Sequence, residues 1–328
     1  MDNLTRVDPT SKIYEDARLM VQQLWEISSE EYNKYVPCPQ PRSLMVKDML
    51  HIKSNPKKYM VAPKTDGVRM FLLFSFCAIP NTELDKNIEV EYSVFMDRNG
   101  IFYQIPITSH TKEIYNGTLL DGELCNGKYV IFDVIAVNGY STKKKSFYER
   151  CKHLRLLYQT LYCTPEMGLT LELKNWRPLH EIQDVYMSHK EQGNCDGMIL
   201  CNVTSPLTTG TQQGMLKWKP QYEHTIDFHV LRDNRSHQLV LWLGTHREIP
   251  ASNLQITQCK NFEDECSLLP STNIHDFVME CSMKEISNRR WVATPVRLRE
   301  DKVRGNSGRV ASLTLKTIKQ NITLDALL

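Results

Sequence analysis

Several short strings in this chain carry side chains suited to phosphate chemistry. Pro63-Lys64-Thr65-Asp66-Gly67-Val68-Arg69 sets a lysine and an arginine on either side of a glycine-containing turn, between two apolar runs. The glycine lets a ligand approach the backbone, and the two cations suit a phosphate. Alone, the string reads equally well as a hairpin loop. Asp121-Gly122-Glu123 ends one strand-like run, Phe132-Asp133 lies inside the next, and Asp196-Gly197-Met198-Ile199 opens another. Lys217-Trp218-Lys219 puts two lysines on one strand face, because alternate side chains point the same way. Each string has a plain structural explanation: Asp-Gly pairs turn chains, Phe132 fits a core, and paired lysines solvate a sheet. Together they supply a candidate nucleophile, carboxylates for a divalent metal and cations for phosphate oxygens, the inventory of phosphoryl-group transfer.

The elements that must position these residues are mixed. Periodicity predicts an amphipathic helix over 11–27, with Ala17, Val21 and Leu24 on one face. Pro37, Pro39 and Pro41 then impose an extended connector. β-rich runs at 59–62, 68–79, 90–97, 117–124 and 129–137 predict strands, the last two joined by an Asn126-Gly127 hairpin. Helices are predicted over 147–161 and from about 178, and strands over 197–203 and 214–218. Short strands at 225–231, 238–243, 277–282 and 291–298 suggest a small barrel or sandwich. Residues 321–328 read as one or two capped helical turns.

The 328 residues are 41% hydrophobic and 24% charged, which excludes a disordered, collagen-like or coiled-coil chain. No apolar run approaches the roughly 18 residues of a membrane span, and the N-terminus lacks the apolar stretch of a signal peptide. A soluble, intracellular protein is therefore expected. Of the net charge of +2, residues 289–328 hold nine basic and three acidic groups, so a +6 tail follows a body of about −4. Ten cysteines include no Cys-x-x-Cys pair, which argues against a zinc finger or ribbon.

The ordered strings resemble the covalent nucleotidyltransferase superfamily, which comprises mRNA capping guanylyltransferases and ATP-dependent DNA and RNA ligases. Lys64-Thr65-Asp66-Gly67-Val68-Arg69 resembles its motif I, Asp121-Gly122-Glu123 motif III, and Tyr129-Val130-Ile131-Phe132-Asp133 motif IIIa. Asp196-Gly197-Met198-Ile199 resembles motif IV. Leu216-Lys217-Trp218-Lys219-Pro220 through Thr225-Ile226-Asp227-Phe228 resembles motif V, and Arg299-Glu300-Asp301-Lys302 motif VI. Thr65, Asp196 and the Thr225-Ile226-Asp227-Phe228 ending favour the capping branch over the ligases. In length and C-terminal ending the chain is similar to single-function capping enzymes of large DNA viruses. Gly305 departs from the proline common in cellular enzymes.

The resemblance implies an α+β fold: an ATP-grasp-like nucleotidyltransferase domain of antiparallel sheets with helices over 1–222, an OB-fold β-barrel lid over 223–319, and a terminal helix over 320–328 packing back on the first domain. It implies transfer of GMP from GTP through a lysyl-GMP adduct at Lys64 to the 5′-diphosphate end of RNA, with Mg²⁺ or Mn²⁺ held by Glu123 and Asp196. Arg69 and Glu123 would contact ribose, Phe132 would stack on guanine, and Lys174 would read its O6 acceptor. Arg98, Lys217, Lys219, Arg299 and Lys302 would serve the phosphates, with Asp227 and Asp301 in less defined roles. Closure of the lid over GTP would bring Arg299 and Lys302 to the leaving pyrophosphate. An RNA triphosphatase, a cap methyltransferase and an RNA polymerase are expected as separate chains, in cytoplasm, nucleus or virion, with no membrane partner. The alternatives are an ATP-dependent RNA or DNA ligase and a non-catalytic RNA-binding relative.

Overall fold

The computed structural model describes residues 4–34, 36–81, 86–164, 168–193, 195–233, 235–244, 249–267, 276–287, 289–300 and 302–328. These fall into two compact units. The first gathers the described residues of 1–43 and 51–218 with Leu328, and the second those of 44–50 and 219–327. Where the sequence reading has 320–328 returning to the first domain, residues through Leu327 belong to the second unit.

In the first unit, the apolar run Met70 to Phe74 lies in the long strand Val68–Asn81 near the centre of a sheet. The strand order is Thr170–Leu173, Lys128–Val137, Thr118–Cys125, Val68–Asn81, Lys86–Asp97 and Phe102–Gln104, with Tyr140–Ser141 paired on Lys128–Val137. The run is continuous because both faces are covered. Phe71 and Leu73 enter one core beneath the helix Lys12–Trp25, whereas Met70, Leu72 and Phe74 enter another with Leu154 of the helix Phe147–Tyr158. Ser11 caps the first helix by accepting the Tyr14 N–H at 3.2 Å, and Glu26 ends it in the left-handed region. Asn126 and Gly127, at φ of 50° and 73°, make the expected hairpin.

A second sheet of the same unit runs in the order Gln40–Ser43, Thr211–Trp218, Cys195–Asn202, Tyr59–Thr65 and Arg177–Pro178. The helix Ile182–Glu191 covers one face, burying Ile182 and Tyr186; Tyr186 meets Trp218 edge-on at 5.1 Å. The chain leaves this sheet at Thr65 and enters the other at Val68. Asp66-Gly67 is therefore a corner between two sheets and not a hairpin loop. Its glycine is required by crowding: a Cβ at Gly67 would lie 2.6 Å from the Leu124 carbonyl and 2.8 Å from Glu123 Cγ. The side of Gly67 that a Cβ would take is filled by the neighbouring strand Thr118–Cys125.

The second unit is a six-stranded sheet in the order Ile249–Pro250, Leu239–Leu243, Thr225–Arg232, Asp276–Ser287, Arg290–Leu298 and Ile256–Gln258, antiparallel except for the last pair. Ile226, Phe228 and Val230 alternate into its core with Leu241 and Trp291, the pattern expected of the small β domain. The basic tail holds a helix the sequence reading missed, Gly308–Gln320, capped by Ser307 and burying Ala311, Leu315 and Ile318. Only Asp325–Leu327, a single 3₁₀ turn, falls within the helical turns expected over 321–328. Among the described residues no helix is long and apolar enough to cross a membrane.

Candidate active site

Ladder register fixes which residues face one another. In the five-stranded sheet Ala62 lies opposite Ile199 and Ile199 opposite Lys217. Alternation then puts Lys64 on the face of Ala62, and Met215 on the face of Lys217. This is the face away from Tyr186 and Trp218. Asp196 reaches it through an irregularity: one residue, Lys64, lies between Pro63 and Thr65, but two, Asp196 and Gly197, lie between their partners Cys195 and Met198. The extra residue re-aims the strand, and the Asp196 carboxylate meets Lys64 Nζ at 2.8 and 3.1 Å.

A second irregularity acts in the other sheet. Asp121 pairs with Asp133 and Gly122 with Ile131, which leaves Phe132 as the extra residue. Its neighbours Ile131 and Asp133 are buried, while Phe132 is half-exposed and lines the cleft. Behind it, Asp133 forms a doubly hydrogen-bonded pair with Arg150 at 2.7 and 2.9 Å, both side chains 1% exposed. Arg150 also donates to the carbonyls of Lys145 and Ser205. Each of its three nitrogens thereby has a partner, as a buried charge demands.

The two sheets of this unit flank a cleft of about 140 Å³ whose lining includes Lys64, Thr65, Arg69, Glu123, Phe132 and Lys174. Glu123 accepts the Thr65 hydroxyl and the Gly67 N–H, the latter at 3.2 Å. Thr65 in turn accepts from Lys174 Nζ at 3.0 Å, so one hydroxyl links the lysine to the carboxylate. Burial pulls the Lys174 ammonium down from 10.5 to about 8; Glu123 opposes the shift and Lys64 adds to it.

Arg69, expected to contact ribose, lines the cleft and is anchored from behind. It grips Asp121 through Nε, at 2.8 Å, and Nη2, and it donates Nη1 to the Pro39 carbonyl. Its guanidinium lies 5.4 Å from the ring centroids of both Phe71 and Phe132. Burial works against this charge, but Asp121 more than offsets it and holds Arg69 above its ordinary range. Burial raises Asp121 to about 6 against the pull of Arg69. Arg69 thus backs the Phe132 ring and ties the proline connector to the site. Sequence reasoning gave Asp121 no role, although alternation puts it on the same face as Glu123. Gly122 between them has its own cause: a Cβ there would lie 2.5 Å from Tyr129 Cζ, in a ring that is fully buried and donates its hydroxyl to the Met70 carbonyl at 2.9 Å.

Arg98 is exposed and lines a separate cleft of the first unit with Arg18 and Lys34. Lys219 belongs to the second unit, where it donates to the Glu223 carbonyl at 3.5 Å. Within that unit Arg299 meets Asp227 at 3.2 Å, and Lys302 bonds the same carboxylate. Asp227 is 6% exposed, so it holds the two motif VI cations together in a partly dry setting. Asp301 lies outside the described residues. Gly305 is needed here: a Cβ would lie 2.7 Å from the His229 nitrogen and 2.9 Å from the Asp227 carbonyl, where Asn306 N–H bonds that carbonyl at 2.7 Å. The departure from proline thus matches a close backbone approach.

Among the described residues no three His, Cys, Asp or Glu side chains cluster as a complete metal cage. Asp196 and Glu123 offer oxygen donors only. That set fits a hard divalent cation that takes one or two carboxylates and completes its shell with water and phosphate oxygens.

The family model of the mRNA capping enzyme catalytic domain matches residues 4–221, and that of the mRNA capping enzyme C-terminal domain matches 210–328. An mRNA-capping enzyme subunit alpha of Candida glabrata is 24% identical over 392 aligned positions, covering 96% of this chain and 84% of the relative. One from Schizosaccharomyces pombe is 26% identical, covering 89% and 79%. These relatives are fungal and lend no support to a viral source. Among solved structures, the ATP-dependent DNA ligase of bacteriophage T7 is 14% identical, covering 80% of this chain and 98% of that one, with a TM-score of 0.38.

Proposed function

Since the chain belongs to the mRNA capping enzyme family, we propose that it is an mRNA guanylyltransferase working through a lysyl-GMP adduct on Lys64. The observation that carries this reading is the Lys64–Asp196 contact of 2.8 Å at a cleft lined by Lys174, Glu123 and Phe132. In the first step Lys64 Nζ attacks the α-phosphorus of GTP. A P–N bond forms, the bond to the β-phosphate breaks, and pyrophosphate leaves. The amine must shed a proton to attack, and Asp196 is within reach to accept it. In the second step a terminal oxygen of the RNA 5′-diphosphate attacks the same phosphorus. The P–N bond breaks, Lys64 regains its proton, and a 5′–5′ triphosphate bridge results.

The remaining roles rest on the family resemblance and suit the chemistry of each side chain. Phe132, backed by Arg69, offers an aromatic face to guanine. Lys174 donates to O6, an acceptor that adenine replaces with an amino donor. Lys217, Lys219, Arg299 and Lys302 are assigned to the phosphates, where charge grows in the transition state. Mg²⁺ or Mn²⁺ on Glu123 and Asp196 would supply further neutralisation of the phosphate oxygens. On this reading 1–222 is the nucleotidyltransferase domain and 223–319 an OB-type lid. The subunit-alpha names of the fungal relatives support a separate partner subunit, with triphosphatase, methyltransferase and polymerase functions on other chains.

The test is to incubate the protein with α-labelled GTP or ATP and Mg²⁺ or Mn²⁺, then denature it. A GTP-derived label that is lost in Lys64→Ala is the expected result. An ATP-derived label would make the protein a ligase, and no label would leave a binding protein.

A further inference from the structure

We propose that the second cleft of the first unit binds the phosphodiester backbone of the acceptor RNA, a few nucleotides from the 5′ end that receives GMP. This rests on the capping reading above for the identity of the acceptor.

The cleft has a volume of about 450 Å³, and its lining includes Arg18, Asn33, Lys34, Val36, Arg98 and Asn99. Its cations come from three places: the helix Lys12–Trp25, the short helix Ser29–Lys34 and the turn after the strand Lys86–Asp97. None of the residues lining it is acidic. The nearby Asp97 carboxylate is engaged locally, accepting the backbone N–H groups of Asn99 and Ile101 at 2.8 and 2.9 Å and the Asn99 amide at 3.5 Å, with Arg98 exposed beside it. Arg18 is held in orientation by the Asn33 side-chain oxygen at 2.6 Å and by the Tyr32 ring at 5.7 Å. The Lys34–Glu30 pair is 2.7 Å long, with side chains 67% and 79% exposed. An ion pair that open contributes little, so a phosphate can draw Lys34 across. Cations joined by amide donors suit phosphodiester oxygens.

Position argues for RNA in particular. Val36 lines this cleft and Pro41 lines the catalytic one. The chain between them spans at most about 18 Å if fully extended, five residues at about 3.6 Å each. The edges of the two clefts at Pro41 and Val36 are therefore only a few nucleotides apart, so an RNA entering the catalytic cleft can extend to the second.

The test uses the full chain with Arg18→Gln and Lys34→Gln combined. Lysyl-GMP formation should match the unaltered protein, since GTP does not use this cleft. In single-turnover transfer from the preformed adduct, half-saturation for a ten-nucleotide 5′-diphosphate RNA should rise about tenfold, and its log–log salt slope should fall by about 1.4, two single-strand phosphate contacts at about 0.7 each. A 5′-diphosphate dinucleotide should be unaffected. Equal effects on both acceptors, or none on the ten-mer, would overturn the proposal. Fluorescence anisotropy of the ten-mer on uncharged protein separates this question from the catalytic reading, because it needs no chemistry. Unchanged affinity there would overturn the RNA assignment even if adducts form, and weakened affinity would uphold it even if they do not. Loss of a serine-phosphorylated peptide with RNA binding intact would also overturn it, in favour of a protein partner.

Discussion

Lys174 offers the sharpest check on the guanine reading, because the same burial that aims it also makes it titrate in an accessible range. With its ammonium pulled down to about 8 by burial, roughly nine-tenths of the lysine is charged at pH 7 and roughly one-tenth at pH 9. Only the charged form donates strongly to O6. Apparent affinity scales with the competent fraction, so GTP should bind about tenfold more weakly at pH 9 than at pH 7. ATP presents an amino donor at that position and gains nothing from the ammonium, so discrimination between the two should narrow by about the same factor. The assay is adduct formation with each nucleotide at sub-saturating concentration from pH 6.5 to 9.5. The ratio cancels any change in the reactivity of Lys64. Lys174→Met should start with poor discrimination and show no such pH dependence. Stability moves the other way. A lysine whose folded pKa lies below its unfolded value of 10.5 costs stability at and below pH 8, and that cost is relieved as pH rises from 8 towards 10.5. The melting temperature of the unaltered protein should therefore rise relative to that of Lys174→Met through this titration, which separates lost recognition from unfolding. A GTP-to-ATP ratio that holds constant to pH 9.5, or that titrates identically in Lys174→Met, would refute the assignment.

Two further substitutions probe the frame. Gly122→Ala sets a methyl group 2.5 Å from the buried Tyr129 ring, and overpacking of that kind costs about 1–3 kcal/mol; urea unfolding should show a lower midpoint at unchanged m-value. Arg299→Ala should slow lysyl-GMP formation about 100-fold, the scale of losing one charge-stabilising group, while transfer from a preformed adduct changes little; equal losses in both half-reactions would remove Arg299 from the leaving pyrophosphate.

What the chain revealed in advance was set by local chemistry, and what it hid was set by pairing across distance. The apolar run at Met70 reads as a strand, and Asn126-Gly127 reads as a tight hairpin turn. Lys64, Glu123 and Phe132 were legible as a group through the ordered strings, and Lys174 only through the family resemblance. Nothing local says that Lys64 and Arg69 belong to different sheets, because a corner and a hairpin use the same Asp-Gly signal. Nor does any string show that Asp196 and Phe132 each lie at an irregularity that adds a residue to one strand of a ladder, since that depends on register with partners far away in sequence. The helix Gly308–Gln320 was masked by glycines near its start and by the β-branched residues within it, and only its packing of Ala311, Leu315 and Ile318 secures it. These two irregularities have a common consequence. Each adds one residue where a regular strand would turn the functional side chain into the core or onto the wrong face: Asp196 is turned to the nucleophile, and Phe132 is left half-exposed between the buried Ile131 and Asp133. Deleting either surplus residue should therefore spare strand pairing and still abolish the site, because the chemistry depends on broken alternation that the fold itself does not need.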